Sequence, residues 1–410
     1  MADLVSLDDL LVFFSEPAEA ELSDDYGVNN NKPGQRKKQI LVQLRELQKD
    51  GVSIQFRPIH SPCEISVFLG LPIHSSSFLQ FHATAYQRYL QLEQMGLAES
   101  GLWCDTNQGL VPAQAPPRDS MHLQRAGKSL QGQLSFYMQD QFTPITKDTL
   151  PTLLYDVAVI DSATQALKDE RRTWVYALTT FPGHHATQET SGGYCFVNNA
   201  ALACARLLSN KERFPRVGLI DVDYHAGNGS LSIFWDSPNV FFVSIHLHPD
   251  LEYPFNAGFA DQRGPELGPA SGTSLCIPLL PGSTWDGPRD GSSNYQDVKD
   301  GTEGGYSYRA ALEQGIAATV AFGAKALVVS LGVDTIRGDP EVVPGCGMCL
   351  DQEDFGKMGT LFRNAGLPTL FVQEGGYNLR KEGGMSGCWV DEAVGQVLSC
   401  GAKDLHAERV

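Results

Sequence analysis

The chain has 410 residues, of which 42% are hydrophobic and 19% charged, with a formal net charge of −17. That composition suits a globular protein with a sizeable core, and the acidic balance excludes a direct nucleic-acid binder while favouring cationic ligands. No apolar run reaches the ~18 residues of a membrane helix, so no membrane partner is expected. In chain order, LVFFS (11–15) reads as a strand, 33–49 as a helix and VSIQFRP (52–58) as a strand. Helical spacing follows at 76–96 and 150–169, then the strand TWVYALTT (173–180) and a helix over 196–211. RVGLIDVDYH (216–225) and VFFVSIHLH (240–248) are strands, 306–323 a helix and ALVVSLGVD (326–334) a strand. The pattern closes with a helix at 352–365, the strand PTLFVQEGG (368–376) and a helix at 384–399. Strands apolar on both faces and separated by helices predict an α/β fold, a mostly parallel central sheet with helices on both faces. Residues 100–125 and 282–305 lack periodicity, and the second is expected to be an exposed, mobile Gly/Asp/Ser loop. With no internal repeat or shift in composition, residues 1–410 read as one domain. MADLVSLDDLLVFFSEP lacks a basic leader, and the nine cysteines are scattered, several in apolar runs (Cys195, Cys204). An intracellular protein is expected, cytoplasmic before nuclear.

Ligands of such sheets bind beyond the carboxyl ends of the strands. Those ends carry His184 and His185 in FPGHHA, then Asp221, Asp223 and His225 in DVDYHAGNG. Asp334 follows the third such strand and Tyr377 the fourth, in EGGYN. A Pro-Gly turn lets both adjacent imidazoles reach one pocket, and imidazole exchanges protons near neutral pH. Asp223 and His225, two apart on an extended segment, are expected to face the same way. With Asp334 they form a two-carboxylate, one-imidazole set that leaves a zinc coordination position open for water, although such donors also suit manganese or iron. The plainer reading of D-x-D-x-H is a polar turn before a helix start. Asp221 is expected on the other face, fixing an imidazole tautomer or holding a monovalent ion. Tyr377 after two glycines could donate to a developing oxyanion, or be a surface turn residue.

FPGHHA, GGYCFVNNAALA, IDVDYHAGNG, VSIHLHP, SLGVDTIRGDP and EGGYN, in this order, resemble the histone deacetylase superfamily. GGYCFVNN, EYPFNAGFADQRG and SLGVDT are most similar to the acetylpolyamine amidohydrolases and related class II-like deacetylases. The resemblance is dense over 150–399 and thinner before it; segments 1–32 and 282–305 carry little of it. It implies an arginase/deacetylase-like fold and zinc-dependent hydrolysis of an N-acetyl amide, with one zinc per chain. It implies zinc ligands Asp223, His225 and Asp334, an acid/base pair His184 and His185 partnered by Asp221 and Asn228, and Tyr377 polarising the carbonyl. It also implies an inner potassium site at Asp221, Asp223, His225, Ser244 and Ile245 and an outer one at Phe234, Ser237 and Val240. Gly193, Tyr194 and Gly376 fall along the acyl tunnel.

The chain departs from the family pattern at Thr180-Phe181, at Ala226 and at Cys276-Ile277-Pro278. Glu341, seven residues after Asp334, stands where an acid at the tunnel rim could meet a distal ammonium; otherwise it is a solvated loop charge. Phe142 falls where bacterial polyamine deacetylases keep an acid. The expected substrate is an acetylpolyamine or similar small cationic acetylamide, with protein or histone acetyl-lysine, as an acetyl-lysine peptide, the alternative. A non-catalytic acyl-lysine or partner-binding homologue and a dinuclear arginase-type hydrolase are the other readings, and a homodimer is compatible with all of them. Cys346 and Cys349 in GCGMC read as ordinary loop cysteines or a redox-sensitive pair.

Overall fold

The computed structural model describes residues 10–16, 31–96, 104–105, 109–114, 125–169, 173–288, 305–342, 345, 347–380 and 389–403. The strands are β1 (Leu10–Ser15), β2 (Ile54–Ile59), β3 (Cys104–Asp105), β4 (Gly109–Leu110), β5 (Trp174–Leu178), β6 (Val217–Asp221), β7 (Val240–Leu247), β8 (Ser274–Thr284), β9 (Gly305–Ser307), β10 (Leu327–Leu331) and β11 (Thr369–Gln373). The helices are α1 (Pro33–Lys49), α2 (Ile65–Leu69), α3 (Ser76–Gln94), α4 (Leu130–Tyr137), α5 (Thr149–Asp169), α6 (Asn199–Leu208), α7 (Asn228–Phe234), α8 (Tyr308–Phe322), α9 (Gln352–Asn364) and α10 (Val390–Lys403). Nine strands form one sheet in the order β2-β1-β5-β11-β10-β6-β7-β8-β9. Every neighbouring pair in it is parallel.

Two cores follow from the period-2 geometry of the strands. In β5, Val175 and Ala177 enter one core with α3, α5 and α6, while Trp174, Tyr176 and Leu178 enter the other with α1, α8, α9 and α10. β10 alternates likewise, Val328 against Leu327, Val329 and Leu331. Burying each Val or Leu side chain contributes about 1.5–3 kcal/mol, so both faces have to be covered. The expected α/β architecture is therefore the observed one. Among the described residues, no helix is long and apolar enough to cross a membrane.

Boundaries move where capping and turn chemistry override periodicity. The helix expected over 196–211 begins at Asn199, because the Asn198 side chain accepts the Ala201 amide as an N-cap and the preceding residues are spent in a turn. α9 starts at a reciprocal capping box between Asp351 and Asp354. α10 starts at Val390, and 381–388 lie outside the described residues. The segment 282–305 is not simply an exposed loop. Gly282–Thr284 complete β8, and the Trp285 ring is buried, stacked at 6.4 Å from Tyr308. Residues 289–304 and Cys346 lie outside the described residues, as do 1–9 and 17–30.

Candidate active site

The four central strands β5, β11, β10 and β6 are consecutive neighbours in the sheet. Their carboxyl-end loops carry His184 and His185, Tyr377, Asp334, and Asp221 through His225 respectively. The fold thus gathers at one point residues that are up to about two hundred positions apart in the chain.

Asp223, His225 and Asp334 each present a ligand atom, all within 4.8 Å of one another. His225 Nδ1 lies 3.2 Å from Asp223 Oδ1 and 3.4 Å from Asp334 Oδ2, and its side chain is 12% exposed toward the cavity while the two acids are buried. Asp334 Oδ2 is buried without a hydrogen bond. Behind the set, a Cβ on Gly375 would sit 2.5 Å from both Asp223 Oδ2 and Asp334 Oδ2, so only a glycine leaves the cradle open. Two carboxylates and one imidazole with an orphaned buried oxygen fit a zinc ion with an open position. A second cluster, His184, Cys195 and Glu374, is equally tight. Its donors and acceptors are consumed by the chain itself. Glu374 Oε2 accepts the Gly183 and His184 amides at 2.5 and 3.2 Å, Glu374 Oε1 accepts Ser330 Oγ at 3.1 Å, and Cys195 Sγ donates to Gly193 O at 3.4 Å. It is a hydrogen-bonded scaffold for the histidine turn.

The two imidazoles lie against each other, tilted by 40° with centroids 3.9 Å apart. His184 Nδ1 is 3.0 Å from Asp221 Oδ2, and His185 Nδ1 is 2.7 Å from Asn228 Oδ1. Asn228 Nδ2 turns to Gln139 Oε1 at 3.5 Å, which leaves its oxygen to accept and makes His185 Nδ1 the donor. Burial works to lower the pKa of His184, but Asp223 and Asp221 outweigh it and hold the imidazole at about 10. Burial, then His184 and His225, push His185 well below its usual range. One imidazole is kept charged and its neighbour neutral.

Asp221 does not face away from Asp223. β6 ends at Asp221, the backbone then turns, and the Asp223 amide donates to Asp221 Oδ1 at 3.1 Å. Both carboxylates meet His184, whose Nε2 is 3.7 Å from Asp223 Oδ1. The convergence of Asp223 and His225 likewise comes from this turn and not from strand alternation.

Above the set lies a cavity of about 210 Å³ lined by His185, His225, Gly193, Tyr194, Tyr377, Glu341, Glu252, Tyr253, Phe142 and Phe255. Tyr194 and Tyr377 meet edge to face at 6.0 Å. Tyr194 Oη donates to Glu341 Oε1, whereas Glu341 Oε2 is buried without a partner. Glu341 is therefore a wall residue rather than a solvated loop charge. Burial drives the Tyr377 phenol well above its ordinary pKa against the opposing Arg36, so it remains a proton donor. Gly193 adopts φ +55°, and a Cβ there would lie 2.3 Å from His185 Cδ2. Gly376 does not line the cavity. It serves the turn, at φ +124°, and its carbonyl accepts Arg36 Nη1 at 3.4 Å.

Asp221 is the register partner of Ser244 across β6 and β7, with Ile245 next along β7. Phe234, Ser237 and Val240 join α7 to β7, the Ser237 amide donating to Phe234 O at 2.9 Å. Sequence reasoning missed Asp140, Glu374 and Asp339. Asp140 Oδ2 accepts the Gly193 amide at 2.7 Å and Tyr253 Oη at 3.2 Å, fixing two cavity walls. Glu374 was visible as a polar residue ending an apolar strand, in EGGYN. Thr180 and Phe181, where the family pattern has Arg-Pro, donate their amides to Asp156 at 2.7 and 3.0 Å. Phe181 packs edge-on against Phe196 at 4.9 Å.

Residues 35–390 match the histone deacetylase domain family. Acetylpolyamine amidohydrolase 2 of Pseudomonas aeruginosa is 34% identical over 311 residues, covering 76% of this chain and 78% of the relative. Acetylpolyamine amidohydrolase 1 of the same organism is 36% identical over 307 residues, covering 73% and 77%. The crystal structure of an acetylpolyamine aminohydrolase from Burkholderia pseudomallei superposes with a TM-score of 0.72 at 23% identity, covering 97% of this chain and 99% of that one, and so shares the fold. Fold, strand-end chemistry and these likenesses agree: the chain belongs to the histone deacetylase domain family.

Proposed function

We propose that the chain is a zinc-dependent amidohydrolase that releases acetate from an N-acetylated amine, with an acetylpolyamine-type cation as substrate. The observation that carries this is the buried Asp223–His225–Asp334 set beneath a slim cavity whose wall holds a neutral histidine, a phenol donor and the half-unpaired carboxylate of Glu341. The two acetylpolyamine amidohydrolases named above support the substrate class.

Asp223, His225 and Asp334 would hold the zinc, which when bound polarises the acyl carbonyl and makes water nucleophilic near neutral pH. His185 lines the cavity and is the neutral member of the pair, so its Nε2 accepts the proton of the attacking water. Asn228 fixes the tautomer that leaves Nε2 free. Tyr377 Oη donates to the oxygen that becomes negative as the tetrahedral carbon forms. His184, held charged beneath by Asp221, lowers the energy of that negative charge. His185 then returns the proton to the leaving nitrogen as the C–N bond breaks, giving the amine and acetic acid, whose remaining proton passes to the amine to leave acetate and the ammonium. Gly193 and Tyr194 confine the stem, and Glu341 accepts from a distal ammonium.

Asp221, Ser244 and Ile245, with Asp223 and His225, are proposed as a structural potassium site, and Phe234, Ser237 and Val240 as a second. Residues 1–410 are taken as one deacetylase domain. Protein acetyl-lysine is the second reading, favoured by Phe142, 49% exposed at the cavity mouth where an apolar peptide face could rest. Steady-state rates on N-acetylputrescine, N8-acetylspermidine and acetyl-lysine peptides decide between them. A higher kcat/KM for the polyamines supports the proposal, a higher value for peptides favours the second reading, and a zinc-loaded protein inert on all three refutes both. Zinc content of one per chain separates either from a dinuclear hydrolase.

A further inference from the structure

We propose that Asp339 is a positioning residue that ties the charge-selecting wall of the tunnel to the oxyanion tyrosine, so that substrate recognition and transition-state stabilisation depend on one buried carboxylate. This rests on the deacetylase reading above. Asp339 is 5% exposed and does not line the cavity, so it touches no substrate. Its Oδ1 accepts the Glu341 amide at 3.0 Å. Its Oδ2 accepts the Tyr377 amide at 2.7 Å and the Asn378 amide at 3.1 Å. One side chain thus grips the loop after β10 and the loop after β11 together.

The arrangement matters because neither loop is held there by regular structure. Tyr377 follows Gly376 at φ +124°, where the backbone has little steric restraint of its own. Gly376 O accepts Arg36 Nη1 at 3.4 Å, and the Arg36 guanidinium lies 5.5 Å from the Tyr377 centroid. Arg36 therefore holds the carbonyl that precedes the tyrosine and lies near its ring. Asp339 holds the tyrosine's own amide, and Asp339 alone of the two also holds Glu341. The link closes on the cavity side, where Glu341 accepts from Tyr194 Oη and Tyr194 meets Tyr377 edge to face.

Three amide donors on two oxygens need a group that accepts with both. Asparagine offers one oxygen and one NH2. Whichever way it turns, it sets an NH2 against either the Glu341 amide or the Tyr377–Asn378 pair. Misplacing a reacting group by about 1 Å can cost roughly a hundredfold in rate.

The test compares zinc-loaded wild type, Asp339→Asn, Tyr377→Phe, Glu341→Gln and the double variant D339N/Y377F, on N8-acetylspermidine and on a neutral acetyl-lysine peptide. Asp339→Asn should keep its zinc, lower kcat on both substrates by roughly tenfold or more, and shrink the preference for the cation that Glu341→Gln removes. On the neutral peptide, D339N/Y377F should be little slower than Tyr377→Phe, because Asp339 acts through that phenol. A purely structural role would lower thermal stability and leave kcat of the folded fraction and the double-variant comparison unchanged. Should Asp339→Asn not fold, Asp339→Glu keeps both acceptors but moves them by one methylene, and the same loss of kcat with full zinc is expected. Wild-type kcat in a folded Asp339 variant, or losses that multiply in the double variant, overturn this inference alone. A wild type that releases no acetate overturns the deacetylase reading and this inference with it.

Discussion

Replacing Glu341 by Gln removes a negative charge from the tunnel wall without removing atoms. The amide oxygen can still accept from Tyr194 Oη, so the wall keeps its shape. What is lost is the negative charge, carried on a carboxylate whose buried Oε2 has no hydrogen-bond partner. An exposed ion pair is worth only about 0.2–1 kcal/mol. Here one oxygen is shielded, and a hydrogen bond to a charged group contributes about 1.5–3 kcal/mol. At an effective dielectric near 20, the gross attraction at 4 Å is about 4 kcal/mol before desolvation is subtracted. A net loss of about 1.5–3 kcal/mol corresponds to a fall in kcat/KM of roughly tenfold to a hundredfold. The assay is acetate release from N8-acetylspermidine and from a neutral acetyl-lysine peptide, with wild type and Glu341→Gln at two salt concentrations. The cation should lose by that factor and the neutral substrate should change by less than about threefold. Added salt should narrow the gap only in part, since a shielded pair is screened less than an exposed one. Equal responses of the two substrates would remove Glu341 from charge selection and leave a generic lysine deacetylase as the better reading.

Three further outcomes are expected. Asp334→Asn should lose most of its zinc, read by metal analysis, and nearly all hydrolysis; a loaded, active variant would place the metal elsewhere. Tyr377→Phe should keep zinc and lose ~10²-fold in kcat, as for other oxyanion donors, and an unchanged kcat would remove the phenol from the mechanism. Burial lifts the Glu374 carboxyl from 4.5 to about 7, so in that window the folded protein holds a proton that the unfolded chain has lost. Stability should then fall as pH rises from about 4.5 to 7, and Glu374→Gln should flatten that part of the melting curve against pH, whereas parallel curves for the two proteins would show that Glu374 does not titrate there.

The sheet and the polar residues that gather at its strand ends were legible because they leave local traces. Short apolar runs ended in histidine, aspartate or Gly-Gly-Tyr, and parallel strands present their carboxyl ends to one side. β8 left no such trace, since Pro278, Pro281 and Gly282 interrupt its pattern although it pairs with β7 over six residues. Strand alternation puts Asp221 on the other face from Asp223, but β6 ends at Asp221 and a turn takes over from alternation there. Asp140, Asp339 and Glu374 were missed for a different reason. Each accepts backbone amides distant in the chain, from Gly193, Tyr377 and Gly183, 53, 38 and 191 residues away. Any amide can serve, so no partner residue type marks the pair in the sequence.

The same hidden acids qualify what the net charge of −17 says about substrate. Asp156, Asp221, Asp223, Asp334, Asp339 and Glu374 are all buried, and their charges are met by amides, hydroxyls or imidazoles or suppressed by raised pKa values. They add little to the field that a ligand meets at the surface. The proposed attraction for a cation would therefore rest on the acids that line the cavity, Glu341 and Glu252. Of these, Glu252 Oε1 already accepts the Tyr253 amide at 2.9 Å, whereas Glu341 Oε2 has no donor. The composition pointed toward cationic substrates, but it is the placement of Glu341 in the cavity wall that makes the proposed preference specific enough to test.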